Sequence, residues 1–327
     1  MKNFEYARAN NPADAVRLVG DRPGATFIAG GTDLLNLMKD GAQTHDRIVD
    51  VNGLALTDIS HGNGFLRVGA LARMADVGAH RAVREKFPVV SQALLASASP
   101  QVRNMASIGG NLLQRTRCGY FRDTGSACNK RIPGSGCPAI DGENRGHAVL
   151  GVSDHCIAAH PSDLAVSLIA VDAVVLTNGP HGERRIPFGD FHLAPGDTPE
   201  RENVLTHGEL IVGLELPLTP AAAKSQYLKL RDRATFEFAV VSVAAALDLR
   251  GRTVNDVRLA FGGIATKPWR STDAEAVLRG RALDTATIDA AGRAAVHGAI
   301  PRAHNAFKID LVQRALSRVL HELGGVR

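Results

Sequence analysis

Four cysteines set the strongest constraint on how this chain folds. Cys118, Cys128, Cys137 and Cys156 are the whole cysteine complement of 327 residues, yet they fall within 39 of them, with gaps of nine, eight and eighteen residues. The stretch from Arg115 to His155 has no apolar periodicity and is rich in Gly, Asn and Arg. An irregular segment of that length inside a compact domain is unusual unless it is functional. Three chemistries compete for the thiols. A disulfide pair suits a secreted chain, and the opening MKNFEYARANNPADAV lacks the apolar core of a secretory signal. Structural zinc usually draws on a close Cys-x2–4-Cys pair, and none occurs. An iron–sulfur cluster accepts four thiolates from an irregular loop, because the cluster itself sets the geometry. Arg115, Arg117, Arg122, Lys130 and Arg131 flank the first two cysteines against Asp123 alone, a balance that favours thiolates and a net-negative group.

Outside that stretch the chain is periodic. ATFIAGG (25–31) predicts a strand entering a glycine turn, with TDLLNLMKD (32–40) as the helix behind it. Strands are expected at 47–51 and 65–70, a helix at 87–97, and a second glycine turn within 100–114. After the cysteines come a helix and strand in 161–178 and a strand at 209–217, and TPAAAKSQ (219–226) reads as a link. The last segment has strands at 227–231, 238–249 and 257–265, then helices near 273–279, 285–298 and 310–323, an α+β layer. The composition, 45% apolar and 22% charged, is that of a globular protein of two or three domains. The net charge of +5 is spread along the chain with no nucleic-acid module, so no nucleic-acid partner is expected. No apolar run reaches the length of a membrane span.

Two glycine pairs stand out. In AGGTDLL (29–35) the glycines allow backbone to pass close to a bulky ligand, and the helix start offers N–H groups to an anion. The pattern is neither GxGxxG nor GxxxxGK[ST]; a plain turn capped by Thr32 is the bland alternative. SIGGN (107–111) is a second, strand-like approach to paired glycines, with Ser107 and Asn111 suited to phosphate oxygens and a hairpin turn as its alternative. PSDLA (161–165) places Ser162 or Asp163 as a helix cap. In YLKLR, Tyr227, Lys229 and Arg231 share one face, suited to an anionic cofactor or simply solvated.

The order FIAGGTDLL, QVRNMASIGGN, HPSDLAVSLIAVDA, YLKLRDR and RLAFGGIATKPWR resembles the flavoprotein subunit of molybdenum hydroxylases over nearly the full length. These include xanthine dehydrogenases, carbon monoxide dehydrogenases and aldehyde oxidoreductases. The resemblance implies an α+β fold. A FAD-binding domain of the vanillyl-alcohol-oxidase (PCMH) type covers 1–218, with subdomains 1–55 and 56–218 and an insertion at 115–158. A C-terminal α+β domain of the carbon monoxide dehydrogenase flavoprotein type covers 225–327. Carried over, Phe27, Ile28, Ala29, Gly30, Gly31, Thr32, Asp33 and Leu34 wrap the FAD diphosphate, helped by Ser107, Gly109, Gly110 and Asn111, while Asp163 and Lys229 complete the pocket.

The cysteine insertion is similar to that of the periplasmic aldehyde oxidoreductase FAD subunit. That likeness implies one [4Fe–4S] cluster on Cys118, Cys128, Cys137 and Cys156. Ordinary xanthine and carbon monoxide enzymes lack such an insertion, and benzoyl-CoA reductase relatives place their cysteines differently. The same likeness implies a heterotrimer with a molybdenum-cofactor large subunit and a [2Fe–2S] small subunit, exported with a signal-bearing partner; a cytoplasmic location is the alternative. It also implies a relay of electrons from aldehyde oxidation to an external acceptor, with no catalytic residue of its own in this chain. The alternatives are a self-contained flavoenzyme, the FAD subunit of a xanthine dehydrogenase or hydroxybenzoyl-CoA reductase-like enzyme, and a structural zinc-loop protein.

Overall fold

A computed structural model describes residues 1–326. At the N-terminus, Glu5–Arg8, Arg47–Asp50 and Ala25–Ile28 form a three-stranded parallel sheet with Arg47–Asp50 in the middle. Parallel strands need a crossover: Leu34–Lys39 lies between the neighbours Ala25–Ile28 and Arg47–Asp50, and the two outer strands are joined by the helix Pro12–Gly20. Its start is written in the sequence: Asn11 accepts from the Asp14 N–H at 2.8 Å, and Pro12 occupies the first turn. Ala15, Val16 and Val19 bury against Val49 and Val51.

The second sheet is antiparallel, in the order Ile59–His61, Phe65–Gly69, Leu210–Pro217, Val174–Gly179, Gly182–Pro187. Its central strand arrives from some 140 residues beyond Phe65–Gly69, because several helices and the cysteine insertion intervene, together with the hairpin 174–187 that pairs on its other side. Helices Pro88–Ala96 and Asp163–Ile169 are hydrophobic nearly all round and bury in the core beside this sheet. The third sheet runs Trp269–Arg270, Thr253–Gly262, Val241–Arg250, Ser225–Leu230. Helices Thr272–Leu278, Thr285–Ala295 and Phe307–Gly324 share a separate core with it. Among the described residues no helix is long and apolar enough to cross a membrane.

Two local expectations change. The link at 219–226 is instead a capped turn of helix, Pro220–Ala223: Thr219 accepts from the Ala222 N–H at 3.0 Å, and Ala221 and Ala222 are buried. The YLKLR polar face is not solvated, because the strand is covered on both sides. Leu228 and Leu230 pack on the C-terminal core, while Tyr227 and Lys229 are buried against the first half.

The cysteine insertion keeps one short helix, Gly119–Arg122, and otherwise satisfies its backbone partly through turns, as where the Gly142 N–H donates to Pro138, and partly through side chains. The Asn129 amide donates to the His155 carbonyl at 3.0 Å and accepts from the Gly136 N–H at 2.7 Å. Fully buried Asn144 donates to the Gly142 carbonyl and accepts from the His304 N–H at 2.9 Å. The insertion ends on the C-terminal domain: the Val149 N–H donates to Ile264, the Ile300 N–H donates to Val149, and the Lys308 ammonium donates to the His147 and Gly263 carbonyls at 2.9 and 2.7 Å.

Lys308 is fully shielded, and burial, reinforced by Arg145, pulls its pKa from 10.5 down to about 7. Between those values the unfolded chain holds a proton that the folded chain has released, so stability rises with pH across that window. We expect urea unfolding to show greater stability at about pH 9 than at about pH 7, and Lys308→Met to flatten that part of the rise. An unchanged slope in the variant would show that Lys308 titrates normally.

Candidate functional site

The strand Ala25–Ile28 delivers the first glycine pair against the backbone of the second loop. A Cβ on Gly30 would lie 2.0 Å from the Met105 carbonyl oxygen, so only glycine fits; Gly31 sits at φ +69°. The glycine is therefore demanded by protein backbone, in addition to any ligand. The second pair differs from expectation. SIGGN is not a strand-like approach: Ser107 caps a short helix, Ile108–Leu112, by accepting from the Gly110 N–H at 3.2 Å, which places both glycines in its first turn. Extended pairing stops just before them, where Met74 and Ile108 N–H groups donate to Ala106 and Ala72 carbonyls.

Together these loops wall a cavity of about 480 Å3. That lies within the range usual for small-molecule and cofactor sites. Of the residues singled out from sequence, Phe27, Ile28, Ala29, Gly30, Gly31, Thr32, Asp33, Leu34, Ser107, Gly110, Asn111, Asp163 and Lys229 all line it. Gly109 does not; it faces Ala70 and Ile211, because its N–H is drawn onto the Ala70 carbonyl at 2.7 Å. Sequence reasoning missed the Ser97–Ala98 turn, His45, Phe236 and Phe238, and it gave Arg115 and Arg117 to the cysteines alone. Ala98 has φ +49°, held by the Arg103 guanidinium donating to the Ser97 and Ala98 carbonyls. Nothing in ASASP signals that conformation.

Asp163 does more than begin a helix. Ser162 is the cap, accepting from the Ala165 N–H at 3.0 Å, while its hydroxyl donates to Asn111 at 2.6 Å. The Asp163 carboxylate accepts from Lys229 at 2.8 Å, Ser97 at 3.0 Å and the Tyr227 hydroxyl at 2.5 Å. Its side chain is 5% exposed and that of Lys229 is 3%. Burial, with Asp163 beside it, holds the Tyr227 phenol well above its ordinary pKa. Removing either partner of such a pair strands a buried charge, at a cost of about 3–5 kcal/mol.

All four cysteines, free thiols, line one small cavity with Tyr120, Phe121 and His147. His147 Nε2 lies 3.2 Å from Cys118 Sγ. Among the described residues no three His, Cys, Asp or Glu side chains converge at the spacing of a single ion; the sulfurs surround a space. Burial pushes the Cys118 thiol up to about 11 and raises Cys137 and Cys156. Opposing it, backbone N–H groups of Tyr120 and Phe121 aim at Cys118, those of Ala139, Ile140 and Ile157 at Cys137, and that of Ala158 at Cys156. Such donors suit anionic sulfur, so the set fits a group that binds thiolates. The flanking cations are mostly engaged elsewhere. Arg115 and Lys130 hold Glu202 at 2.6 and 2.9 Å, Arg117 and Arg122 hold Asp33 at 3.0 and 2.9 Å, and Arg131 braces the Phe121 carbonyl at 2.7 Å. Among these flanking cations, Lys130 acts on a thiol, lowering Cys156.

With that geometry in place, comparison with known proteins is decisive. Residues 2–219 match the family of the FAD binding domain in molybdopterin dehydrogenase, and residues 226–323 match the CO dehydrogenase flavoprotein C-terminal domain. The chain belongs to this family. It is 50% identical over 325 residues to the aldehyde oxidoreductase FAD-binding subunit PaoB of Escherichia coli K12, covering 98% of each chain. It is 26% identical to a putative xanthine dehydrogenase FAD-binding subunit of the same strain, over 97% of this chain and 94% of that one. Among solved structures, carbon monoxide dehydrogenase from Hydrogenophaga pseudoflava aligns with TM-score 0.77 and 25% identity, over 98% of this chain and 96% of that one. The α+β architecture with a flavoprotein C-terminal domain is thus that of an oxidoreductase family.

In this flavoprotein the two glycine pairs are not equivalent. A Cβ on Gly30 strikes fixed backbone, whereas one on Gly110 meets only the Ser107 hydroxyl at 2.9 Å. We expect Gly30→Ala to lower stability in thermal melts by at least about 2 kcal/mol, and Gly110→Ala by clearly less. Equal losses would mean that the contact between the two loops is not the constraint on Gly30.

Proposed function

We propose that this chain is the FAD- and [4Fe–4S]-bearing electron-transfer subunit of a molybdenum-dependent aldehyde oxidoreductase. Its molybdenum and [2Fe–2S] centres would reside on a large and a small partner subunit. One observation carries the reading: consecutive residues, Arg117 and Cys118, line the cavity built from the two glycine pairs and the cavity enclosed by the four thiols. A flavin site and a thiolate site back to back suit a relay. The kinship with a chain named as an aldehyde oxidoreductase FAD-binding subunit supports the substrate class. When bound, FAD supplies one- and two-electron chemistry and the cluster one-electron chemistry.

The chain's own residues bind and orient. The 26–34 backbone, with Ser107, Gly110 and Asn111, would take the FAD diphosphate; Phe238, with the Arg117 guanidinium 4.8 Å above its ring, closes one side of the same cavity. Asp163 and Lys229 hold the two domains together at its base. Cys118, Cys128, Cys137 and Cys156 would hold the cluster, with the backbone donors described above compensating their charge. Co-export to the periplasm with a partner belongs to the same proposal, and fractionation of cells co-expressing the three subunits tests it.

Two measurements check the reading. Anaerobically prepared protein is expected to contain iron and acid-labile sulfide in cluster stoichiometry, and each single Cys→Ser change to lose it; one zinc and no iron would sink the cluster. The chain expressed alone is expected to hold FAD without a covalent bond and to oxidise no aliphatic or aromatic aldehyde with an artificial acceptor. Activity should appear only with both partners, and turnover without molybdenum would favour a self-contained flavoenzyme.

A further inference from the structure

We infer that Asp33 is a positioning residue through which the cysteine loop sets the affinity of the flavin site. The inference rests on the assignment of the two cavities just proposed. Asp33 follows the first glycine pair and lines the larger cavity, and its carboxylate is engaged by the cysteine insertion. It accepts from the Arg115 backbone N–H at 2.8 Å, from Arg122 at 2.9 Å and from Arg117 at 3.0 Å. Cys118 lies between the two arginines, and its carbonyl accepts from the Phe121 and Arg122 N–H groups at 3.1 Å. Arg122 also reaches Asp40 at 3.6 Å, so it touches the residues flanking both ends of the helix Leu34–Lys39.

A second contact joins the same two segments independently. Leu37 and Ala42, on and just beyond that helix, form a small apolar cluster with Phe121 and Cys128, and Cys118 packs against it. The wall of the flavin cavity and two of the four cysteines therefore share one ionic and one apolar joint. The Asp33, Arg117 and Arg122 side chains are only 15%, 29% and 18% exposed, which shields the joint from the screening that makes surface pairs weak. A group that fixes Cys118 and Cys128 fixes Phe121 and Arg122, and through them Asp33 and the 30–37 segment. Binding at the two sites is then reciprocal: each tightens the other by the same factor.

The test is a double-mutant cycle on the full chain with its co-purifying subunits, reading the FAD dissociation constant of deflavinated protein by fluorescence titration. Cys118→Ser is expected to weaken FAD about tenfold in the wild-type background and less than about twofold in an Asp33→Asn background. Asp33→Glu should recover part of the coupling. Wild-type protein stripped of iron by chelation provides a second comparison that needs no cysteine variant, and should also bind FAD about tenfold more weakly than loaded protein. Equal affinity in stripped protein and in protein assayed to carry iron, or a Cys118→Ser penalty unchanged by Asp33→Asn, overturns the inference. Iron and sulfide are assayed in parallel: their absence would sink the cluster assignment alone, while the cycle still decides whether the loop acts through Asp33.

Discussion

The buried Asp163 carboxylate is the contact on which the rest of the molecule depends. It begins a helix of the first half, accepts from Lys229 and Tyr227 on the first strand of the second half, and accepts from Ser97 in the turn that lines the larger cavity. A charge this deep is tolerable only when fully paired, so three distant segments must arrive together or not at all. The strand bearing Lys229 is stitched further: Ser225 accepts from the Val89 N–H, the Tyr227 N–H donates to Gln92, and Lys229 and Arg231 donate to the Ala96 carbonyl. The seam between the two matched domains is thus polar and specific rather than merely apolar. That specificity gives the cavity beside it a defined shape.

The cysteine insertion depends on that frame without sharing its means. It has almost no sheet or helix of its own, and Asn129, Asn144, Arg131 and Lys308 supplement its backbone turns with side-chain hydrogen bonds to carbonyls. One end is tied to the first glycine loop through Asp33, the other to the C-terminal domain through His147, Val149 and Lys308. Buried asparagines and a buried lysine are expensive in an apolar interior, and each persists here because carbonyls of an irregular loop need donors. An element held this way keeps its shape only while its neighbours do, which makes it suited to sensing or reinforcing them.

Much of this was legible in the amino-acid order. Strand and helix positions followed from apolar periodicity and capping residues, and the paired glycines at 30–31 marked a close approach of backbone. Confinement of every cysteine to one aperiodic stretch pointed to thiols that meet in space, and the four do line one small cavity. The ordered set of five motifs carried the family, and with it the α+β fold. These features are local or statistical, so a linear reading reaches them.

Tertiary structure decided the rest. Gly109 turned inward because its N–H found the Ala70 carbonyl, while its neighbour Gly110 faced the cavity. The polar face of YLKLR proved to be a buried seam, since its partners come from more than sixty residues upstream. Arg117 and Arg122, adjacent to cysteines in the chain, spend their charge on Asp33 some 84 to 89 residues away. Sequence order specified which groups carry charge and where backbone must pass closely. Only the packed chain settled which group each charge meets, because pairing depends on distance through space and on the water that burial removes.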